Sequence, residues 1–90
     1  MLENLEQLIK IIRKKKKSSH DKSYTNKLLN DKDLSVAKVK EEIGELLESV
    51  EQNSNTIHEA ADVIYHLMVY LEANEIKIEK VMKELKKRQK

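Results

Sequence analysis

The stretch Leu34–Leu71, LSVAKVKEEIGELLESVEQNSNTIHEAADVIYHLMVYL, decides the fold. It holds two apolar runs parted by the polar break Asn53-Ser54-Asn55. Before the break, Val36, Val39, Ile43, Leu46 and Val50 recur at three- and four-residue steps. After it, Ile57, Ala60, Ala61, Ile64, Leu67, Met68 and Leu71 do the same. Both patterns are those of helices with one buried stripe. Thr56 with Glu59 reads as a capping box that opens the second run. Two helices joined by three polar residues fold back on each other as an antiparallel hairpin. Each arm carries an acidic cluster: Glu41, Glu42 and Glu45 on the first, Glu59 and Asp62 on the second.

The flanking sequence is helical too. Leu2, Leu5, Leu8, Ile9 and Ile12 mark a first amphipathic helix that runs into Arg13–Lys17, where cations suit a helix C-terminus. Ser18-Ser19-His20-Asp21 reads as a loop, and Ser23–Leu29 as one or two helical turns. Asn30–Asp33 is a second break, with Asp33 as N-cap of a helix from about Leu34 to Glu51. Asn74-Glu75 separates the hairpin from a last helix with Ile78, Val81, Met82 and Leu85. Proline is absent and glycine occurs once, which fits an all-α protein. The expected fold is a single domain over residues 1–90: a small helical bundle with a central antiparallel hairpin. Ninety residues is near the lower limit for an independent core, so dimerisation is expected to complete it.

Although 38% of the residues are charged, the net charge is only +2, so bulk electrostatics does not point to nucleic acid. The Arg13–Lys17 run has no aromatic or glycine-rich company and reads as a solvated helix end. No cysteine means no disulfide framework and no thiolate metal site. No apolar stretch has the length of a membrane span, and the apolar residues precede the first basic run, the reverse of a signal peptide. A soluble cytoplasmic protein is the expectation.

With Ile43 at the centre of its apolar face, the first arm puts Glu42 on the flank and Glu41 and Glu45 on the far side. For that helix alone, solvent-facing charges paired with Lys38 and Lys40 are the plainer reading. The second arm differs. Glu59, Asp62 and His66 share a narrow strip flanked by Val63, Tyr65, Val69 and Tyr70, so the helix is apolar on most sides and its polar groups need partners. Glu59 could serve the cap alone, and Asp62 and His66 could bond each other. Taken together, the arms place Glu45 and Asp62 equidistant from the break and hence face to face. Carboxylates that converge call for a cation, and oxygen-only ligands favour Mg²⁺ or Mn²⁺ over zinc. A di-iron centre would add a Glu-x-x-His motif, which the chain lacks. Lys22, Lys27, Lys38 and Lys40, with Ser23, Tyr24 and Thr25, could meet phosphate oxygens, though any single lysine is more simply a surface charge.

Glu42-x-x-Glu45 followed by Glu59-x-x-Asp62 resembles the signature of the all-α nucleotide pyrophosphohydrolases of the MazG type. Ser23-Tyr24-Thr25-x-Lys27-Leu28-Leu29, Lys38-Val39-x-Glu41-Glu42 and Glu59-Ala60-Ala61-Asp62-x-x-Tyr65-His66-Leu67 are similar, in order and separation, to the phosphoribosyl-ATP pyrophosphohydrolase family. The resemblance implies hydrolysis of phosphoribosyl-ATP to phosphoribosyl-AMP and pyrophosphate, the second step of histidine biosynthesis. It also implies a homodimer with active sites near the subunit interface. Glu42, Glu45, Glu59 and Asp62 would hold Mg²⁺, with Mn²⁺ as the alternative. Glu42 and Glu45 would share in catalysis, and Glu41 would be a further ligand or the base that orients water. Ser23, Tyr24, Lys27 and Lys38 would contact phosphate or ribose. His66 would orient a carboxylate, contact substrate, or simply be a satisfied packing residue. Lys40 and Glu75 stand at positions where the family often has glycine, and Ile43-Gly44 replaces a more alanine-rich pair. No second enzyme domain accompanies these motifs, so the next step is expected of a separate protein. The rival readings are a housecleaning nucleotide pyrophosphohydrolase of the same superfamily and a non-enzymatic helical interaction module.

Overall fold

A computed structural model of the chain describes residues 2–18, 20 and 22–89. It contains α1 (Glu3–Lys17), α2 (Tyr24–Leu29), α3 (Lys32–Gln52), α4 (Thr56–Ala73) and α5 (Ile78–Arg88), with no strand among the described residues. Two residues of the expected 18–21 loop, Ser19 and Asp21, lie outside the described ones. The expected all-α bundle is observed, and α3 with α4 forms its central hairpin.

Local chemistry sets the helix ends. Ser23 caps α2, its Oγ accepting from the Asn26 N–H at 3.1 Å. Asp31, not Asp33, caps α3: its carboxylate accepts from the Leu34 N–H at 3.0 Å, and Asp33 falls within the first turn. The α3 C-terminus closes on Asn53, in the left-handed region at φ 54°, with Ser54 N–H donating to the Ser49 carbonyl and Asn53 N–H to that of Val50. That is a Schellman closure, and asparagine tolerates it well. Leu71, Glu72, Glu75 and Ile76 repeat the pattern at the end of α4, with Glu75 at φ 58°. The expected capping box does not form. Asn55 precedes α4 without a side-chain cap bond, and Thr56 instead donates its hydroxyl to the Ser49 carbonyl at 3.4 Å.

The core is aliphatic and lies where α1, α2, the C-terminal half of α4 and the start of α5 meet. Ile9, Ile12, Leu28, Leu29, Met68, Val69, Ala73 and Ile78 are buried there. Arg13 ties α1 to α4 and α5, so it is not merely a solvated helix end. Its Nε donates to Glu72 at 2.7 Å, and both terminal nitrogens fork onto Glu79 at 2.7 and 2.8 Å.

The stripe expected on α3 is only partly buried. Val36, Val39 and Leu46 are half-covered, whereas Ile43 and Val50 are exposed, as are Leu47, Ile57, Ala61, Ile64 and Leu67. Ser35, Glu42 and Ser49, seven residues apart, form the buried row of α3 instead. Small serines let the neighbouring helices approach closely. The larger aliphatics of this arm point where the chain offers them no partner.

Candidate functional site

The phase of α3 puts Glu42, only 8% exposed, at the helix contact rather than on its flank. One ligand oxygen each from Glu42, Glu45 and Glu59 lies within 4.8 Å of the other two. Oε2 of Glu42 and Oε2 of Glu59 are buried with no hydrogen-bond partner. Burial, reinforced by neighbouring Glu45, pushes both carboxyls above their usual range. Three close acceptors, two with an orphaned oxygen, are the donor set of a hard divalent cation. The residues therefore fit such an ion.

Asp62 stands beside this trio rather than opposite Glu45. The chain folds back along α3 after Asn53, so Thr56 sits level with Ser49 and α3 overshoots the start of α4 by about a turn. Glu45 consequently meets Glu59, and Asp62 lies one turn further along α4. Asp62 groups with Glu59 and His58 instead, its Oδ2 3.3 Å from His58 Nε2. Glu59 is common to both groups, freed for them by the absence of the capping box.

Glu41 is not brought into either group. It is exposed and accepts from Lys38 Nζ at 2.8 Å, an interaction that holds its carboxyl below the usual range. Ser23 is engaged as the α2 cap. Lys27 is exposed on α2. His66 is buried. Its Nδ1 lies 2.8 Å from the Asp62 backbone carbonyl, which can only accept, so that nitrogen carries a proton. In the neutral ring, Nε2 then accepts from the Tyr24 hydroxyl at 3.0 Å. His66 thus bonds the backbone of Asp62, not its carboxylate.

Of the three remaining neighbours, Thr25 and Tyr65 were named in the sequence but not as partners, and His58 was not named at all. Buried Thr25 hydrogen-bonds the Tyr65 hydroxyl, and Tyr65 stacks on Tyr24. His58 pairs with Asp62. The i, i+4 spacing of His58 and Asp62 was a usable signal. The link between Thr25 and Tyr65 spans forty residues and leaves no local trace.

A cleft of about 180 Å³ opens on two of the trio, Glu45 and Glu59, and is also lined by Glu48, Ser49, Gln52, Ser54 and Asn55. A larger cavity, about 610 Å³, lies at the other end of α4; two of its four lining cations, Arg13 and Lys16, are engaged by Glu72 and Glu79. Among the described residues, no helix is long and apolar enough to cross a membrane.

Known proteins carry related sequences. The chain is 39% identical to the phosphoribosyl-ATP pyrophosphatase of Allorhizobium ampelinum, over 97% of this chain and 84% of that protein. It is 38% identical to a histidine biosynthesis bifunctional protein of Pyrococcus furiosus, over 96% of this chain and 41% of that protein. With the chloroplastic bifunctional protein of Arabidopsis thaliana it shares 44% identity, over 73% of this chain and 25% of that one. The chain thus spans less than half the length of these two bifunctional relatives. The family profile described as phosphoribosyl-ATP pyrophosphohydrolase matches residues 5–89. A match over that length, on a helical hairpin that gathers the carboxylates, shows that the chain belongs to the phosphoribosyl-ATP pyrophosphohydrolase family.

Proposed function

We propose that this chain hydrolyses the α–β phosphoanhydride of phosphoribosyl-ATP, giving phosphoribosyl-AMP and pyrophosphate, as the second step of histidine biosynthesis. The observation that carries the reading is the Glu42–Glu45–Glu59 trio with its two orphaned oxygens, in a chain of this family. Glu42, Glu45 and Glu59, with Asp62 from the next turn, hold Mg²⁺, or Mn²⁺ in its place. Such an ion, when bound, neutralises phosphate charge and lowers the pKa of a bound water.

The chain's own residues do the rest. Lys38 and Lys27 meet phosphate oxygens, and Ser23 and Tyr24 stand at the entrance with them. A phosphate that draws Lys38 away frees the carboxylate of Glu41, ionised at neutral pH, to orient the attacking water and accept its proton. His66 keeps Tyr24 and the Asp62 turn in register. The reading carries with it a cytoplasmic location and a homodimer joined through the uncovered apolar rows of α3 and α4.

Pyrophosphate release from phosphoribosyl-ATP, measured with and without Mg²⁺, tests the proposal. It should require the ion and fall by roughly 10²-fold or more in Glu45→Ala and Asp62→Ala, with helical circular dichroism unchanged. Full activity in either variant would remove that residue from the ligand set. Preference for an ordinary nucleoside triphosphate over phosphoribosyl-ATP would overturn the substrate.

A further inference from the structure

The chain has three tyrosines and no other aromatic residue apart from histidine. Two of the three, Tyr24 and Tyr65, meet: Tyr65 also packs against the aliphatic core, whereas Tyr24 is tied through His66 to the Asp62 turn of α4. Tyr24 is 45% exposed, yet its ring is fixed from several directions. Its hydroxyl donates to His66 Nε2 at 3.0 Å. It stacks on Tyr65 in an offset arrangement, with ring centres 6.4 Å apart and planes 22° from parallel. The His66 ring meets it edge-on at 5.9 Å and 73°. Each support is itself anchored: His66 is buried and bonded to the Asp62 carbonyl, and Tyr65 is bonded to buried Thr25. An amphipathic ring half-open to solvent and held this firmly is a preorganised π surface. The bond to His66, itself bonded to the Asp62 carbonyl, puts the ring at the Asp62 turn of the carboxylate-bearing helix, and Lys38 is among the charges that reach its hydroxyl.

We propose that the open face of Tyr24 is the stacking platform for the adenine base of the substrate, with Tyr65, His66 and Thr25 as the residues that hold it in place. The inference rests on the substrate being an adenine nucleotide, as proposed above. A purine has hydrogen-bonding edges and an uncharged π face, and neither the carboxylates nor the lysines can stack on that face. A rigid aromatic ring beside the phosphate site can. The platform makes Tyr24 a base-binding residue rather than a phosphate contact. It selects nucleotides over inorganic polyphosphates and sugar phosphates.

The test uses the intact chain with Mg²⁺ present and two probes that differ by the base, adenosine 5′-monophosphate and ribose 5-phosphate. Dissociation constants are measured by calorimetry for the wild type, Tyr24→Phe and Tyr24→Leu. The wild type should bind the nucleotide more tightly than the sugar phosphate. Tyr24→Leu should weaken nucleotide binding about tenfold, the scale of one lost stack, and leave the sugar phosphate unchanged. Tyr24→Phe keeps the ring and should stay within about twofold of the wild type. Equal wild-type affinities for the two probes would overturn the platform. So would a Leu variant that binds like the wild type, or a Phe variant that loses as much as Leu. Equal weakening of both probes in Tyr24→Leu would also overturn it, by assigning Tyr24 to the seating of α2 alone. None of these readouts needs turnover. If base discrimination holds while phosphoribosyl-ATP is not hydrolysed, the platform stands and the substrate assignment falls. If hydrolysis holds and Tyr24→Leu discriminates like the wild type, the reverse is true.

Discussion

A buried carboxylate oxygen without a donor is costly to keep ionised, and Glu42 is in that position at the contact of α3 with its neighbours. Its proton affinity is raised in the folded chain, first by burial and then by Glu45. A raised carboxyl stabilises the fold below the ordinary carboxylate range, and that contribution is lost as pH rises through the raised value. At neutral pH the metal-free chain is therefore weakened at the place where a cation would bind. Glu42→Gln removes the charge, keeps the shape and supplies an amide donor toward Glu45. It should raise the metal-free melting temperature at pH 7 by several degrees, the equivalent of about 1–3 kcal/mol for a relieved polar group. Pyrophosphate release should fall roughly 10²-fold or more in the same variant. Scanning calorimetry with and without Mg²⁺ checks it: the ion should stabilise the wild type and not the variant. A wild type that gains nothing from Mg²⁺ would remove the trio as a cation site.

At the scale of elements, both hairpin helices end in the same closure but with different residues. Asn53 is at ease in the left-handed region, whereas Glu75 at φ 58° carries the cost of its Cβ there. Glu75→Gly should stabilise the fold by roughly 0.5–1 kcal/mol, seen as a melting temperature higher by a few degrees. A lower one would mean that the Glu75 side chain contributes more than its backbone costs. The last helix depends on another device, the fork of Arg13 on Glu79, which holds the Glu79 carboxyl at about 2 instead of 4.5. A depressed carboxyl contributes stability above its unfolded value and loses it as pH falls through the folded one. Wild type and Glu79→Gln should thus differ in melting temperature at neutral pH and converge between pH 4.5 and about 2. Curves that stay parallel through that window would show that the fork adds nothing. The helices themselves were legible in the sequence because apolar spacing, breaks and terminal charges all agree. The phase of α3 was not, because Ile43 and Val50 look like a core and are left uncovered by this chain. The stagger that pairs Glu45 with Glu59 was hidden as well. It arises from a turn that doubles back through Asn53 and Asn55, whereas the sequence argument assumed a symmetrical one. The carboxylates that meet were still found, since charge at helical spacing on two adjoining arms survives an error of one turn.

The whole molecule is too open for its size. A compact monomer of ninety residues exposes about 5,500 Å² and has a radius of gyration of about 12 Å. This chain exposes 7140 Å² and has a radius of gyration of 14.2 Å. The excess surface is comparable to what one subunit of a stable dimer buries, or more. It includes an apolar row on each hairpin helix, with Leu47 65% and Ile57 89% exposed, too many large aliphatics for an arm meant to face water. A second copy of the chain presenting the same rows would cover them symmetrically. Leu47 is the position to test because it lies outside the carboxylate groups and its removal leaves no cavity in the folded subunit. Leu47→Lys puts an unpaired charge into the proposed contact, so the dimer should weaken on the order of 100-fold. Light scattering after size-exclusion chromatography should then show a dimer for the wild type and a monomer for the variant at micromolar concentration. The wild type's melting temperature should also depend on protein concentration, and the variant's should not. A wild type that runs as a monomer would leave the aliphatic rows without a homodimer to explain them. A variant that stays dimeric would move the contact elsewhere on the molecule.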